Sequence, residues 1–165
     1  MNNKLTEVDI KKMKEEIEYR ITELRPKLLK EVVRTRAFGD LSENAEYYIA
    51  KQVKNANERR IRFLQNMIKT AEVVETNSDE NTVGLFDKVT VFIEEDNEEE
   101  TYQIVTTMRA EVMENRISIE SPAGKALAGK KIGERVLITV NPSYSYYVKI
   151  VSIEKGVDDE TIALR

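Results

Sequence analysis

The chain reads as an α+β protein: an N-terminal antiparallel coiled-coil helical hairpin followed by a small antiparallel β-sheet domain with one short helix. Three observations predict it. Apolar residues recur at steps of three and four through the first 75 positions, the spacing of one helical face. The polar run Thr76-Asn77-Ser78-Asp79-Glu80-Asn81-Thr82 has no periodicity and reads as a linker over 76–82. Beyond it, Val89, Val91 and Ile93 alternate with Thr90 and Phe92, the period of a strand.

The first helix starts at Thr6-Glu7-Val8-Asp9, a capping sequence. Its stripe is Ile10, Met13, Ile17, Ile21, Leu24, Leu28 and Val32. Pro26 falls inside this stripe and removes one backbone hydrogen bond, but the phase continues, so a single kinked helix is expected. Gly39 ends it. The second stripe is Ala45, Ile49, Val53 and Ala56, then Ile61, Leu64, Ile68 and Ala71, with a polar gap at Asn57-Glu58-Arg59-Arg60. The seam should be weakest at that gap. Two helices of about 30 residues would each be about 45 Å long, joined by a short connection at 39–47 that forces them antiparallel.

The globular segment spans 83–154. Strands are expected at 89–93, at 101–105 after an acidic hairpin loop Glu94–Glu100, and at Arg116–Glu120. Ser121-Pro122 opens a short helix as N-cap and first helical residue, and Gly129 closes it. A last strand pair, 135–140 and 146–153, surrounds the turn Asn141-Pro142-Ser143. Residues 155–165 read as a loose tail.

The chain has no cysteine and no histidine. Disulfides, thiolate and imidazole metal sites, and Ser-His or Cys-His nucleophiles are therefore excluded. Any chemistry must use carboxylates, Lys, Tyr or groups of a partner. The start, Met1-Asn2-Asn3-Lys4, has no apolar leader and no apolar run approaches a membrane span, which predicts a cytoplasmic protein without membrane contact. Charge is uneven. Residues 1–75 carry 16 Lys/Arg and 13 Asp/Glu, whereas residues 76–165 carry 10 and 17. Segment 25–62 holds 10 basic and 5 acidic residues, and three of those acids are Asp40, Glu43 and Glu46. The tip is acidic, and the basic flanks behind it can track phosphates or an acidic channel.

Asp40-Leu41-Ser42-Glu43 fits a capping box for the second helix, with Asp40 or Ser42 as N-cap. Its carboxylates also suit Mg²⁺, which takes oxygen ligands and is often held by one or two carboxylates plus phosphates. Two acids are too few for a tight site alone, but they can complete one half-supplied by another protein and a phosphodiester.

The segment Gly39-Asp40-Leu41-Ser42-Glu43-Asn44-Ala45-Glu46-Tyr47 resembles the tip motif of the Gre family of bacterial transcript cleavage factors. Further matches are Ile117-Ser118-Ile119-Glu120-Ser121-Pro122, Lys125-Ala126-Leu127-Ala128-Gly129-Lys130, Tyr102-Gln103-Ile104-Val105 and Arg25-Pro26. The resemblance implies a coiled coil followed by a domain similar to FK506-binding proteins. It implies a monomeric factor that is not itself an enzyme: the hairpin enters the RNA polymerase secondary channel while the globular domain docks on the channel rim. Asp40 and Glu43 then correspond to accessory catalytic acids that help hold a second Mg²⁺, shared with polymerase, and a water. Polymerase itself cleaves the nascent RNA 3′ end of a backtracked complex. Glu120, Ser121 and Pro122 fall at polymerase-contact positions, and Arg34, Arg36 and Lys51 would lie near the transcript. The alternative is a channel-binding regulator that does not stimulate cleavage. This chain departs from the family pattern at Arg59, Thr106, Asp87 (where a nearby Gly is replaced) and Ser143, and in its long tail.

Overall fold

The computed structural model describes residues 3–37, 44–76, 79–158 and 160–165. The chain divides into two compact units: Ile10–Ala71, and Met1–Asp9 together with Glu72–Arg165. Residues 3–9 thus group with the C-terminal part of the chain rather than with the hairpin.

In the helical unit the first arm is continuous but not uniformly α. Helix α1 (Glu7–Tyr19) passes into a π-helical turn, Arg20–Leu24, and then into α2 (Arg25–Arg36). The residues at both junctions keep right-handed helical dihedrals, and the Arg25 N–H bonds the Arg20 carbonyl, five residues back. Pro26 explains the turn. Its ring would strike the carbonyl of Thr22, and its missing N–H leaves that carbonyl without a helical donor. A wider turn accommodates both effects while the chain stays helical.

The return arm is α3 (Ala45–Lys69). Cross-arm pairs join early residues of the first arm to late residues of the second and the reverse: Glu16 with Arg60, Arg20 with Asn57, Arg25 with Glu58, and Thr35 with Asn44. The arms are therefore antiparallel, as expected. The seam differs from the expected one. Buried positions on α3 are Ala50, Asn57, Ile61 and Leu64, whereas Ile49 and Val53 are 60% and 47% exposed. The two apolar stripes of α3 are one residue out of phase, and the buried seam follows the second. That phase carries Asn57 inward, into the polar gap.

Asn57 is accommodated because the π turn opposes it. The Arg20 guanidinium donates to Asn57 Oδ1 at 2.9 Å, and the Asn57 amide donates back to the Arg20 carbonyl at 3.3 Å. Glu16 receives Arg20 at 2.7 Å and Arg60 at 2.8 Å, while Arg25 forms a two-pronged pair with Glu58 at 2.8 and 2.9 Å. Partial burial pushes the Glu16 carboxyl up, but hydrogen bonds and charge from Arg60 and Arg20 together bring it below its ordinary value. The Arg25 hydrogen bond lowers Glu58.

β1 (Asn3–Leu5) pairs with β2 (Ala71–Val73), a strand that begins at the boundary residue Ala71. The main sheet contains β3 (Lys88–Ile93), β4 (Glu98–Val105), β5 (Arg116–Ser118), β6 (Arg135–Asn141) and β7 (Tyr144–Glu154), in the order β5-β4-β3-β7-β6. All neighbours are antiparallel except β4 and β5, which run parallel. The expectation of a wholly antiparallel sheet is corrected there, because residues 106–115 cross over through two short 3-10 turns, Thr107–Arg109 and Val112–Glu114. The acidic loop is also shorter than expected. Glu98, Glu99 and Glu100 pair with Ile93, Phe92 and Val91, leaving a turn at Glu94–Asn97. In the β6–β7 turn, Asn141 Oδ1 accepts from the Ser143 N–H and hydroxyl, so a side chain closes the turn at Ser143.

Helix α4 (Pro122–Leu127) covers the inner sheet face, where Val89, Val91, Ile104, Leu127, Ile138, Val148 and Ile150 are buried. Leu85, Phe86 and Val105 form a second cluster with Ile162 packed against it. The tail is not loose. Lys155 bonds the Asp79 and Thr82 carbonyls and pairs with Asp87, and the Gly156 N–H donates to Asp87 at 3.0 Å. The left-handed backbone near β3 falls on Phe86 (φ 67°), one residue before the Asp87 departure. Such a conformation costs a non-glycine residue about 1–3 kcal/mol, and the Phe86 N–H bond to Ile104 (2.6 Å) and the tail hold it in place.

Two outcomes follow from these contacts. A Cβ on Gly156 would collide with the Phe86 carbonyl, so Gly156→Ala should lower the urea midpoint by an equivalent of about 1–3 kcal/mol; an unchanged midpoint would show that the tail is not seated there. Glu16 and Glu58 have folded-state values below the ordinary 4.5, so their contribution is present above that value and is lost as pH falls through the lowered ones. Thermal melts across that acid range should therefore show a shallower pH dependence in Glu16→Gln/Glu58→Gln than in the native chain.

Candidate functional site

Two regions carry the candidate residues. The first is the end of the helical hairpin. Asp40 and Glu43, with the rest of 38–43, lie outside the described residues, but both chain segments entering that stretch are described. Helix α2 ends at Arg36 with Ala37 as C-cap, and α3 begins at Ala45 with Asn44 as N-cap. The expected N-cap, Asp40 or Ser42, is thus corrected to Asn44. Its side-chain oxygen accepts from the Tyr47 N–H at 3.0 Å, satisfying one of the free donors of the first helical turn. Its amide nitrogen donates to the Thr35 carbonyl on the opposite arm at 2.6 Å. Thr35 is itself buried, its hydroxyl turned onto the Glu31 carbonyl at 2.9 Å. One side chain therefore caps the second arm and ties it to the first, on either side of the acidic segment.

The basic candidates differ in electrostatic state. Arg34 makes a two-pronged pair with Glu31 at 2.6 and 3.0 Å and approaches Glu46 at 3.6 Å. The Glu31 hydrogen bond raises the Arg34 value. Much of its charge is thus compensated within the hairpin. Arg36 and Lys51 are exposed. Among the described residues no three carboxylates come together as a metal cage.

The second region is the corner between β5 and α4. Ser121 is the N-cap, as expected: its hydroxyl oxygen accepts from the Gly124 N–H at 3.0 Å. Pro122 is exposed, and Glu120 and Ser121 are half-buried. A closed ring of hydrogen bonds holds Glu120. Its N–H donates to Ser118 Oγ (3.0 Å), the Ser118 and Thr107 hydroxyls lie 2.6 Å apart, and the Thr107 hydroxyl donates to the Glu120 carboxylate (2.7 Å). Gly124 packs directly on the Ser118 carbonyl, where no Cβ would fit.

Sequence reading missed Thr107 and, two residues on in the same 3-10 turn, Arg109. The Arg109 side chain is fully buried between Asp9 (3.0 Å) and Asp158 (2.8 Å), with its guanidinium 5.5 Å above the Phe86 ring. Asp9 and Thr6 form the expected capping box, N–H to side chain in both directions at 3.0 and 3.1 Å, and the Thr6 hydroxyl donates to Asp158 at 2.8 Å. The one available signal was an arginine beside Met108 and Ala110, which periodicity does not interpret.

Matches to known proteins span both regions. The family model described as transcription elongation factor, N-terminal, matches residues 3–73, and that described as transcription elongation factor, GreA/GreB, C-term, matches 77–155. A curated relative from Chelativorans sp., transcription elongation factor GreA, is 43% identical over 146 residues, 87% of this chain and 92% of its own. GreA from Caldanaerobacter subterraneus is also 43% identical, over 92% of this chain and 96% of its own. Among solved structures, the transcription factor Gfh1 aligns at 26% identity over 93% of this chain and 97% of its own, with a TM-score of 0.46. The two family models and the curated relatives show that the chain belongs to the GreA/GreB family of transcription elongation factors.

Proposed function

We propose that this chain enters the secondary channel of RNA polymerase and stimulates the polymerase's own cleavage of the nascent RNA 3′ end in backtracked complexes. The observation that supports it best is the Asn44 tie, which braces both arms beside an acidic segment on an otherwise basic hairpin. In this reading Asp40 and Glu43 would hold a Mg²⁺ jointly with polymerase. The ion would stabilise charge on the attacking and departing oxygens of the phosphodiester. The chain's own share is to place two carboxylates, to orient a water by accepting its protons, and to keep them at the end of a stiff probe. Arg36 and Lys51 are exposed cations suited to the transcript phosphates, and Arg34 serves more to brace Glu31 and Glu46. Glu120, Ser121 and Pro122 dock on the polymerase rim, with the hydroxyl ring fixing the carboxylate before contact.

The test is RNA shortening in a purified backtracked complex at varied Mg²⁺. Asp40→Asn/Glu43→Gln should lose stimulation by about 10²-fold or more while competing undiminished for polymerase. Stimulation equal to that of the native chain would remove the metal role. Competition without any shortening by the native chain would favour a non-cleaving channel regulator.

Asn44 separates capping from bracing. Asn44→Ala should cost about 1 kcal/mol of helix stability and reduce stimulation. Asn44→Asp keeps the cap acceptor but turns a carboxylate oxygen onto the Thr35 carbonyl in place of a donor, so it should restore the first turn of α3 without restoring the tie, and stimulation should stay reduced. Full stimulation by Asn44→Asp would show that the tie between the arms is dispensable.

A further inference from the structure

We propose that Arg109 is a positioning residue for the Glu120–Pro122 corner, and that Asp158 of the tail is the counter-charge that sets it. This rests on the reading of that corner as a polymerase contact. The C-terminal family match stops at residue 155, so Asp158 lies outside the matched segment, yet its side chain is almost wholly buried against a fully buried guanidinium.

The 3-10 turn Thr107–Arg109 is the connecting piece. It is one turn long, closed by the Arg109 N–H on the Thr106 carbonyl at 2.9 Å. At one end the Arg109 side chain is gripped by Asp9 and Asp158. At the other, the Thr107 hydroxyl completes the ring that holds Ser118 and Glu120. The turn has little freedom between these ends. The Arg165 N–H bonds the Met108 carbonyl (2.6 Å), and Arg116 reaches the Arg109 carbonyl (3.4 Å). A buried guanidinium tolerates loss of a counter-charge poorly, because the charge left behind cannot be rehydrated without opening the site. Removing the Asp158 charge therefore shifts the Arg109 end of the turn, and with it the hydroxyl on which the Glu120 carboxylate depends. The same aspartate accepts from Thr6, so the tail reads out on the first turn of α1 as well.

The experiment is a double-mutant cycle on the full chain with Asp158→Asn and Thr107→Val, both near-isosteric. Two readouts are taken: affinity for polymerase, and amide exchange at Ile119 and Ser121 in the protein alone. Each single change should weaken polymerase binding by about 2- to 30-fold and speed exchange at those amides. The pair should be little worse than Thr107→Val alone, because both act through one hydroxyl. Additive losses would overturn the proposal. So would Asp158→Asn that speeds exchange at Thr6–Asp9 but leaves Ile119, Ser121 and affinity unchanged, since the tail would then only support α1. If the native chain fails to bind polymerase, the docking reading falls while the exchange arm still decides the coupling.

Discussion

A buried positive charge organises the unit built from the two ends of the chain. Arg109 is sealed from water, and a guanidinium cannot shed its proton to escape the cost. It must be matched where it lies, and the match comes from Asp9 and Asp158, 149 positions apart in sequence. The aromatic face of Phe86 lies against the same group, a favourable arrangement for a desolvated cation. Breaking one partner of such a pair costs about 3–5 kcal/mol. The N-terminal cap, the strained turn before β3, the crossover and the tail are thus bound into one requirement.

The helical hairpin is governed by a different constraint, the backbone of Pro26. A proline in mid-helix removes a donor and crowds a carbonyl. The chain answers with a π turn, which places Arg20 opposite Asn57. Asn57 then occupies a seam position that would otherwise demand an apolar side chain. A buried amide is tolerable because both its oxygen and its nitrogen are bonded. Glu16, Arg60, Arg25 and Glu58 surround this layer, so the polar gap is cross-linked rather than weak. An unpaired amide there would penalise any slipped register of the two arms, as polar seam residues do in coiled coils. The layer therefore specifies alignment, and alignment determines which residues face each other at Thr35 and Asn44.

Much of this was legible in sequence. Helical and strand periods, the Thr6–Asp9 and Ser121 caps, and the helix-sheet order depend on neighbours within a few residues, so local pattern suffices. The seam phase was not legible, because two overlapping apolar stripes on α3 offer two faces and only packing against the first arm chooses between them. The parallel β4–β5 pair was hidden for a similar reason: strand direction depends on how the crossover is routed. At the candidate sites, the polar residues at the corner were recognisable from their motif. Thr107 was not, because its partners Ser118 and Glu120 lie 11 and 13 positions away. The tail looked featureless because its contacts are made by single charges and one glycine rather than by a repeating face.

By itself, the sequence determined the class of the fold and the chemistry available: carboxylates without thiol or imidazole, on a basic hairpin. Those follow from composition and short-range periodicity, which do not depend on long-range contacts. The tertiary structure decided which Asn caps the second arm, which face of that arm is buried, and which two acids neutralise Arg109. Each of those choices depends on a group far away in the chain, and only the folded arrangement brings a buried donor or charge within reach of its partner.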